Sequence, residues 1–188
     1  IEKWNSVIDN IDTKGLLLHI LNTAGTICYD FPNSNMRRVG IALYGLYPDF
    51  PEGVNFRMPK LKQLISLKGR IVNIHTAKDG EGISYCHTYT AKGERTIATV
   101  PLGYADGIPR LLSNKITGRL NGVEVPQVGN ITMDQMMFDI TGVKATTGDV
   151  ITLLDEDKSI DEWAKILHTI NYELTCRLKV RLPRVYTR

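Results

Sequence analysis

The sequence predicts a mainly β protein, with a β domain over residues 49–188 preceded by an α/β unit over residues 1–48. Three observations carry this reading. The first 48 residues alternate helical spacing with continuous apolar runs, the order expected of parallel α/β architecture. Glycine and proline then cluster at Pro51, Gly53 and Pro59, as in a linker. Beyond it, apolar residues come in short pieces separated by turn signals, which is how an antiparallel β domain reads.

Taken in order, Trp4, Val7, Ile8 and Ile11 fall on one helical face. Gly15 precedes Leu16-Leu17-Leu18-His19-Ile20, a run suited to a strand buried on both sides. Asn22-Thr23 is a polar stop, and a turn-rich stretch from Asp30 to Asn35 leads to a second apolar strand around Gly40-Ile41-Ala42-Leu43-Tyr44. In the β half, strands are predicted over 64–76, 81–90, 95–102, 115–128, 133–140 and 149–154. Asn121-Gly122 between Leu120 and Val123 is a strong two-residue hairpin signal. Ser159 with Glu162 three residues on forms a capping box, and Trp163, Ile166, Leu167 and Ile170 follow at helical spacing. This is the one convincing later helix. A final strand is expected from Cys176 to Tyr186, where Leu178, Val180 and Leu182 alternate with basic residues before Pro183.

With 188 residues and 43% hydrophobic content, the chain is long enough to bury a core. Its 23 basic and 20 acidic side chains are interspersed, with no run of like charge, which argues against a nucleic-acid partner. No stretch approaches the roughly 18 apolar residues of a membrane span, and the N-terminus lacks a signal-peptide layout. Ile1 is no initiator methionine and opens inside a helical pattern, so the chain is read as part of something longer. Cys28, Cys86 and Cys176 are far apart and form no C-x-x-C pair, the pattern of reduced thiols in a cytosolic protein. His19, His75, His87 and His168 are scattered without ligand spacing, so no metal is expected.

Several positions can carry chemistry, each with an ordinary alternative. Asn22-Thr23, at the end of a strand, can bind an anion or cap the next helix. Arg37-Arg38 before Gly40-Ile41 can place a guanidinium beside a phosphate-binding backbone, or be surface charge. A tyrosine such as Tyr85 serves as a general base only when its surroundings bring its pKa down from about 10, so cross-strand packing is the ordinary reading. Gly103-Tyr104-Ala105-Asp106-Gly107 is a compact loop that an Asx turn explains. The methionines of Met133-Asp134-Gln135-Met136-Met137 would ordinarily fill core space.

Together and in this order, these segments resemble the second half of alanine racemases over essentially the whole chain. The strings are His19-Ile20-Leu21-Asn22-Thr23-Ala24, Arg38-Val39-Gly40-Ile41-Ala42-Leu43-Tyr44-Gly45, Gly82-Ile83-Ser84-Tyr85, Gly103-Tyr104-Ala105-Asp106-Gly107, Met133-Asp134-Gln135, and Asn171-Tyr172-Glu173 followed by Pro183-Arg184. The resemblance implies a C-terminal β-barrel domain preceded by the last α/β units of a (β/α)8 barrel that binds pyridoxal phosphate. It implies that Thr23, the amides of Gly40 and Ile41, and Tyr172 hold the cofactor phosphate, with Arg38 facing the pyridine nitrogen. Tyr85 would be one of two bases, the other being a lysine in the family's first half, and would act in the partner's site of a homodimer. Tyr104, Arg110 and Ile170 would line the substrate corridor, and the Met133 amide would meet the substrate carboxylate.

Two departures stand out: Asn130 replaces the usual arginine, and Cys86 replaces the common glycine after Tyr85. The implied activity is a cytoplasmic isomerase making D-alanine for peptidoglycan precursors, with Tyr172 favouring alanine. Three alternatives are a serine racemase domain of the vancomycin-resistance type, cytosolic in a membrane-bound parent; a cofactor-binding homologue without turnover; and a non-catalytic β binding module. These 188 residues alone are expected to be inactive and prone to associate.

Overall fold

The computed structural model describes residues 2–50 and 59–187, and the chain forms two compact units, Ile1–Lys62 and Gln63–Arg188. Of the expected linker punctuators, Pro51 and Gly53 lie outside the described residues; the carbonyl of Pro59 accepts from the Tyr47 hydroxyl at 2.9 Å.

The first unit holds α1 (Glu2–Ile8), α2 (Thr23–Cys28) and a 3-10 turn at Ile41–Tyr44. Of the expected helical face, Trp4 stands against the buried Phe31, ring centroids 6.4 Å apart, but Val7 is exposed and Ile11 lies beyond α1 and is exposed too. The two expected strands are not formed. Residues 16–20 run without a sheet partner, and Leu16, Leu17 and Ile20 stay exposed. The neighbouring backbone gives only scattered bonds, from Asn35 and Met36 N–H to the Leu18 carbonyl and from Arg38 N–H to that of Leu21, and one side chain supplies more: Asn35 Oδ1 accepts from the Leu18 N–H at 2.7 Å, while its Nδ2 donates to the Leu16 carbonyl at 2.9 Å. Around residue 41 the backbone winds instead of extending. Leu43 N–H donates to the Gly40 carbonyl and Gly45 N–H to that of Ala42, and Gly45 ends the turn at φ +74°. A short apolar run does not by itself distinguish strand from helical turn.

Among the described residues, the second unit has nine strands: β1 (Leu67–Arg70), β2 (Asn73–Ala77), β3 (Gly82–Ile83), β4 (Tyr89–Thr90), β5 (Arg95–Val100), β6 (Thr117–Leu120), β7 (Val123–Val128), β8 (Met136–Asp139) and β9 (Val150–Leu154). Seven of them form one sheet in the order β1-β9-β6-β7-β8-β5-β2, every pair antiparallel, and β3 and β4 form a separate ribbon. The two outermost strands, β1 and β2, are consecutive in the chain with only Ile71 and Val72 between them. The sheet therefore curls so that its two outer strands meet at that corner, where Ile71 is buried and Val72 exposed, giving a barrel-like shape.

Its interior is apolar, filled by Leu120, Met136, Phe138, Ile151 and Leu153, all fully buried, while Ile97 on the other face packs with Ile83, Ala91, Val128 and Met137. The expected hairpin forms at Asn121-Gly122, with φ of +50° and +81° and Leu120 opposite Val123. Gln63 straps the beginning of the unit to its far end, with Nε2 donating to the Asp155 carbonyl at 2.8 Å and Oε1 accepting from the Ile160 N–H at 2.9 Å.

Helix α3 (Ile160–Leu167) begins at Ser159, whose hydroxyl accepts from the Asp161 N–H. A further helix, α4 (Asn171–Arg177), follows, and the expected strand from Cys176 to Tyr186 is not formed. Cys176 belongs to α4, Val180 is 95% exposed, and no sheet edge pairs with the residues beyond. Alternation of apolar and basic residues makes a strand only where a partner edge exists.

Candidate active site

The segment carrying Tyr85 lies between β3 and β4. Ser84, Cys86 and His87 all have positive φ, at 65°, 60° and 44°, a region L residues avoid at a cost of order 1 kcal/mol each. Tyr85 itself is 73% exposed, so its side chain is presented rather than packed. The cross-strand packing reading therefore does not describe it. Behind it, Gly129 has φ +75° and no room for a side chain, since a Cβ would stand 2.6 Å from the Ile83 carbonyl oxygen.

Two further loops meet this segment. Thr132 to Gln135 is a tight turn in which Gln135 N–H donates to Thr132 Oγ1 and Thr132 N–H to the Gln135 carbonyl. That closure leaves the Met133 N–H with no acceptor among the described residues. The Met133 side chain is 53% exposed and fills no core. The glycine-bounded loop packs on this turn: Tyr104 N–H donates to the Thr132 carbonyl and Ala105 N–H to that of Met133, both at 3.0 Å. Gly103 permits this, because a Cβ there would stand 2.3 Å from both carbonyl oxygens. Asp106 holds the loop closed, its Oδ2 accepting from Gly103 N–H at 2.8 Å.

Tyr85, Tyr104 and Met133 thus come together around one cavity of about 500 Å³, whose wall also includes Ser84, Asp134 and Gln135. Tyr104 separates it from a smaller cavity of about 230 Å³ lined by Arg110, Glu173 and Arg177. Ile170 and Tyr172, at the start of α4, line neither.

The first unit gathers the other expected residues. Thr23 opens α2, with Asn22 capping it by accepting the Gly25 N–H, so the capping reading of Asn22 is observed. Thr23 is 4% exposed, and its Oγ1 accepts from the Gly40 N–H at 2.9 Å. The Ile41 N–H donates to nothing among the described residues, and space around a Cβ at Gly40 is open. The two arginines divide their tasks. Arg37 fastens the turn through the carbonyls of Ser34 and Phe31, whereas Arg38 Nη1 meets His19 Nδ1 at 2.8 Å. A guanidinium only donates, so that ring nitrogen is the acceptor.

Sequence reasoning marked Asn130 only as a departure and missed its contacts, and it missed Asn114 and Arg181 altogether. Asn130 and Asn114 tie the Tyr85 segment to the loop after β7, and Arg181 joins Asp106 to Asp134. No local pattern signals pairings across such spans. Among the described residues, no group of three or more His, Cys, Asp or Glu is set to hold a metal ion, and no helix is long and apolar enough to cross a membrane.

Comparison with known proteins gives this architecture a family. The alanine racemase C-terminal domain matches residues 64–186, and the alanine racemase N-terminal domain matches residues 1–48. The chain belongs to the alanine racemase family. The alanine racemase of Nostoc sp. is 41% identical over 191 residues, covering 97% of this chain and 49% of the relative. That of Geobacillus stearothermophilus is 40% identical, covering 97% and 47%. The chain spans about half the length of the curated racemases it matches. Among solved structures, the Clostridium difficile 630 alanine racemase in complex with cycloserine superposes with a TM-score of 0.85 at 35% identity, covering 96% of this chain and 49% of that one. The Bartonella henselae alanine racemase with covalently bound pyridoxal phosphate gives 0.83 at 28% identity, covering 99% and 50%. The strand-rich racemase fold thus agrees with the curled, barrel-like sheet of the second unit.

Proposed function

We propose that the full-length protein is a pyridoxal-phosphate-dependent racemase interconverting L- and D-alanine, with Tyr85 as one of its two bases. The observation that carries this reading is the shared cavity, which combines an exposed phenol at Tyr85 with a backbone N–H at Met133 that has no acceptor. Racemisation removes a proton from one face of the α-carbon and returns it on the other, so two groups on opposite sides are needed. Tyr85 serves one face. The resemblance puts the second base on a lysine outside these residues, and puts Tyr85 in the partner's site of a homodimer. The Met133 N–H would donate to the substrate carboxylate and fix which way the α-hydrogen points.

The residues of the first unit fit the cofactor phosphate. Thr23 Oγ1 already accepts from Gly40, which leaves its own proton for an anionic oxygen, and the Ile41 N–H is unengaged. The resemblance adds Tyr172 to this set. Pyridoxal phosphate, when bound, supplies the electron sink that acidifies the α-hydrogen. Arg38 cannot accept a proton, so facing the pyridine nitrogen it would disfavour a protonated ring. The demand on a well-placed proton donor is then greater, and Tyr85 meets it. Tyr104 and Arg110, around the two cavities, and Ile170 are assigned to the substrate path. The product fits D-alanine supply to peptidoglycan in the cytoplasm.

The test is racemisation of L-alanine and L-serine by the full-length protein with pyridoxal phosphate, beside Tyr85→Phe. Turnover that the variant strongly impairs supports the reading, and the alanine-to-serine ratio gives the substrate. Cofactor binding without turnover of either amino acid would overturn it.

A further inference from the structure

Asn130 is 6% exposed and is gripped on two sides by the segment that bears Tyr85. Its Nδ2 donates to the Tyr85 carbonyl at 2.7 Å, and its own carbonyl accepts from the Ser84 hydroxyl at 2.7 Å. The segment requires such a hold, because the left-handed backbone at Ser84, Cys86 and His87 relaxes elsewhere unless its surroundings over-determine it. The anchor is itself secured. Gly129 N–H donates to Asn114 Oδ1 at 2.6 Å, Ile131 N–H donates to Ser113 Oγ at 2.9 Å, and the buried Gln127 donates from Nε2 to the Gly129 carbonyl at 2.9 Å. Asn114 Nδ2 reaches on to Thr88 Oγ1 at 3.1 Å, so residues 84–88 are held at one end by Asn130 and at the other by Asn114, whose side chain also holds Gly129.

We propose that Asn130 is a positioning residue for the general base: its carboxamide fixes the Tyr85 backbone and thereby where the phenol oxygen stands in the cavity. The inference rests on the reading of Tyr85 as that base. Asn130 acts on a backbone carbonyl and touches no reacting atom. A carboxamide suits the task because it donates while remaining neutral. A carboxylate of the same shape has only acceptors and would oppose the Tyr85 carbonyl. The phenol oxygen sits at the end of a long side chain, so a small backbone rotation moves it far more than the backbone itself. Proton transfer is sensitive to displacements on the order of 1 Å.

The experiment uses the full-length protein loaded with pyridoxal phosphate and compares Asn130→Asp and Ser84→Ala with Tyr85→Phe. Asn130→Asp is expected to lower kcat by about tenfold to a hundredfold with KM for alanine changed by less than about twofold. The α-deuterium isotope effect should grow in only one reaction direction, the one in which Tyr85 removes the proton. Ser84→Ala should act in the same sense but more weakly. A second readout needs no turnover: exchange of the His87 amide, which donates to the Ser84 carbonyl, should quicken in Asn130→Asp while β5 and β8 keep their protection. If Tyr85→Phe is impaired but Asn130→Asp and Ser84→Ala match the parent in kcat and isotope effect, the positioning role is overturned alone. If both directions change equally and exchange quickens across the sheet, Asn130 is a general structural residue and the inference is again overturned. If Tyr85→Phe keeps full activity, the base assignment itself falls.

Discussion

Arg181 binds Asp106 through two hydrogen bonds, Nε to Oδ1 at 2.6 Å and Nη2 to Oδ2 at 3.2 Å, and Nη2 reaches Asp134 Oδ1 at 2.6 Å. The loop bearing Tyr104 and the turn bearing Met133 are thereby joined by one guanidinium from the far end of the chain. Hydrogen bonds from Asp106 first, then Asp134, raise its pKa above the usual guanidinium value.

Arg181→Ala leaves the buried Asp106 without its cation and is expected to lower the urea midpoint while the slope stays constant. Arg181→Lys should recover only part of the loss, because an ammonium cannot reproduce the bidentate pair. An unchanged midpoint in Arg181→Ala would show that the Gly103 N–H alone satisfies Asp106.

Gly107 carries the chain under the end of α4 at φ +105°, where a Cβ would stand 2.0 Å from the Arg177 carbonyl oxygen. Gly107→Ala is therefore expected to destabilise by about 1–3 kcal/mol or more, combining backbone strain with a clash against main chain. Gly148 is the control, with φ +100° and nothing within 4 Å of a Cβ. Gly148→Ala should cost only the strain, and the difference between the two unfolding free energies isolates the contact.

Tyr89 and Asp139 give the fold a pH signature at both ends. Burial, then the hydrogen bond from its hydroxyl to Asp139 Oδ2 at 3.0 Å and that residue's charge, push the Tyr89 pKa up against Arg95. For Asp139 burial acts upward, but Thr141 through hydroxyl and backbone, then Tyr89 and Arg95, outweigh it and hold the carboxyl below its usual range. A raised folded pKa contributes stability that is complete below the unfolded value of about 10 and is lost as pH rises from there through the folded value. A lowered folded pKa contributes stability that is complete above the unfolded value of about 4 and is lost as pH falls. Tyr89→Phe should flatten the alkaline limb of thermal stability and, by leaving Asp139 less depressed, flatten the acid limb as well. A curve parallel to the parent's at both ends would refute the coupling.

His19 orients Arg38 by accepting from its Nη1. His19→Leu removes that acceptor and should weaken pyridoxal phosphate binding by the full-length protein several-fold and alter its visible absorption, measured by titration. Arg37→Ala, whose partners are the turn carbonyls of Ser34 and Phe31, should change stability and leave the spectrum alone.

What the sequence discloses here follows the range of each interaction. The Asn121-Gly122 hairpin and the start of α3 at Ser159 were legible because the deciding groups are within a few residues. Helix α4 was not, since its N-cap Ile170 offers no capping side chain and its support comes from the Glu173–Arg177 pair and the burial of Leu174. The sheet order was hidden too, because which strand lies beside which depends on faces that meet only after folding. For the candidate site, the strings around Tyr85, Tyr104 and Met133 could be picked out, whereas Asn130 and Arg181 act on partners 45 and 75 positions away.

The Gln63 strap ends on the Asp155 carbonyl, 92 positions later. At about 5–20 residues per second of synthesis, roughly 5–20 s pass before the opening segment of the β unit meets the strand that completes it. Until then β1 has no neighbour and the barrel cannot close, while the short β3–β4 ribbon needs only its own few residues. Translation thus releases the arm that presents Tyr85 before the scaffold that aims it, and the nascent chain has an interval in which exposed strand edges are open to chaperones or to wrong partners.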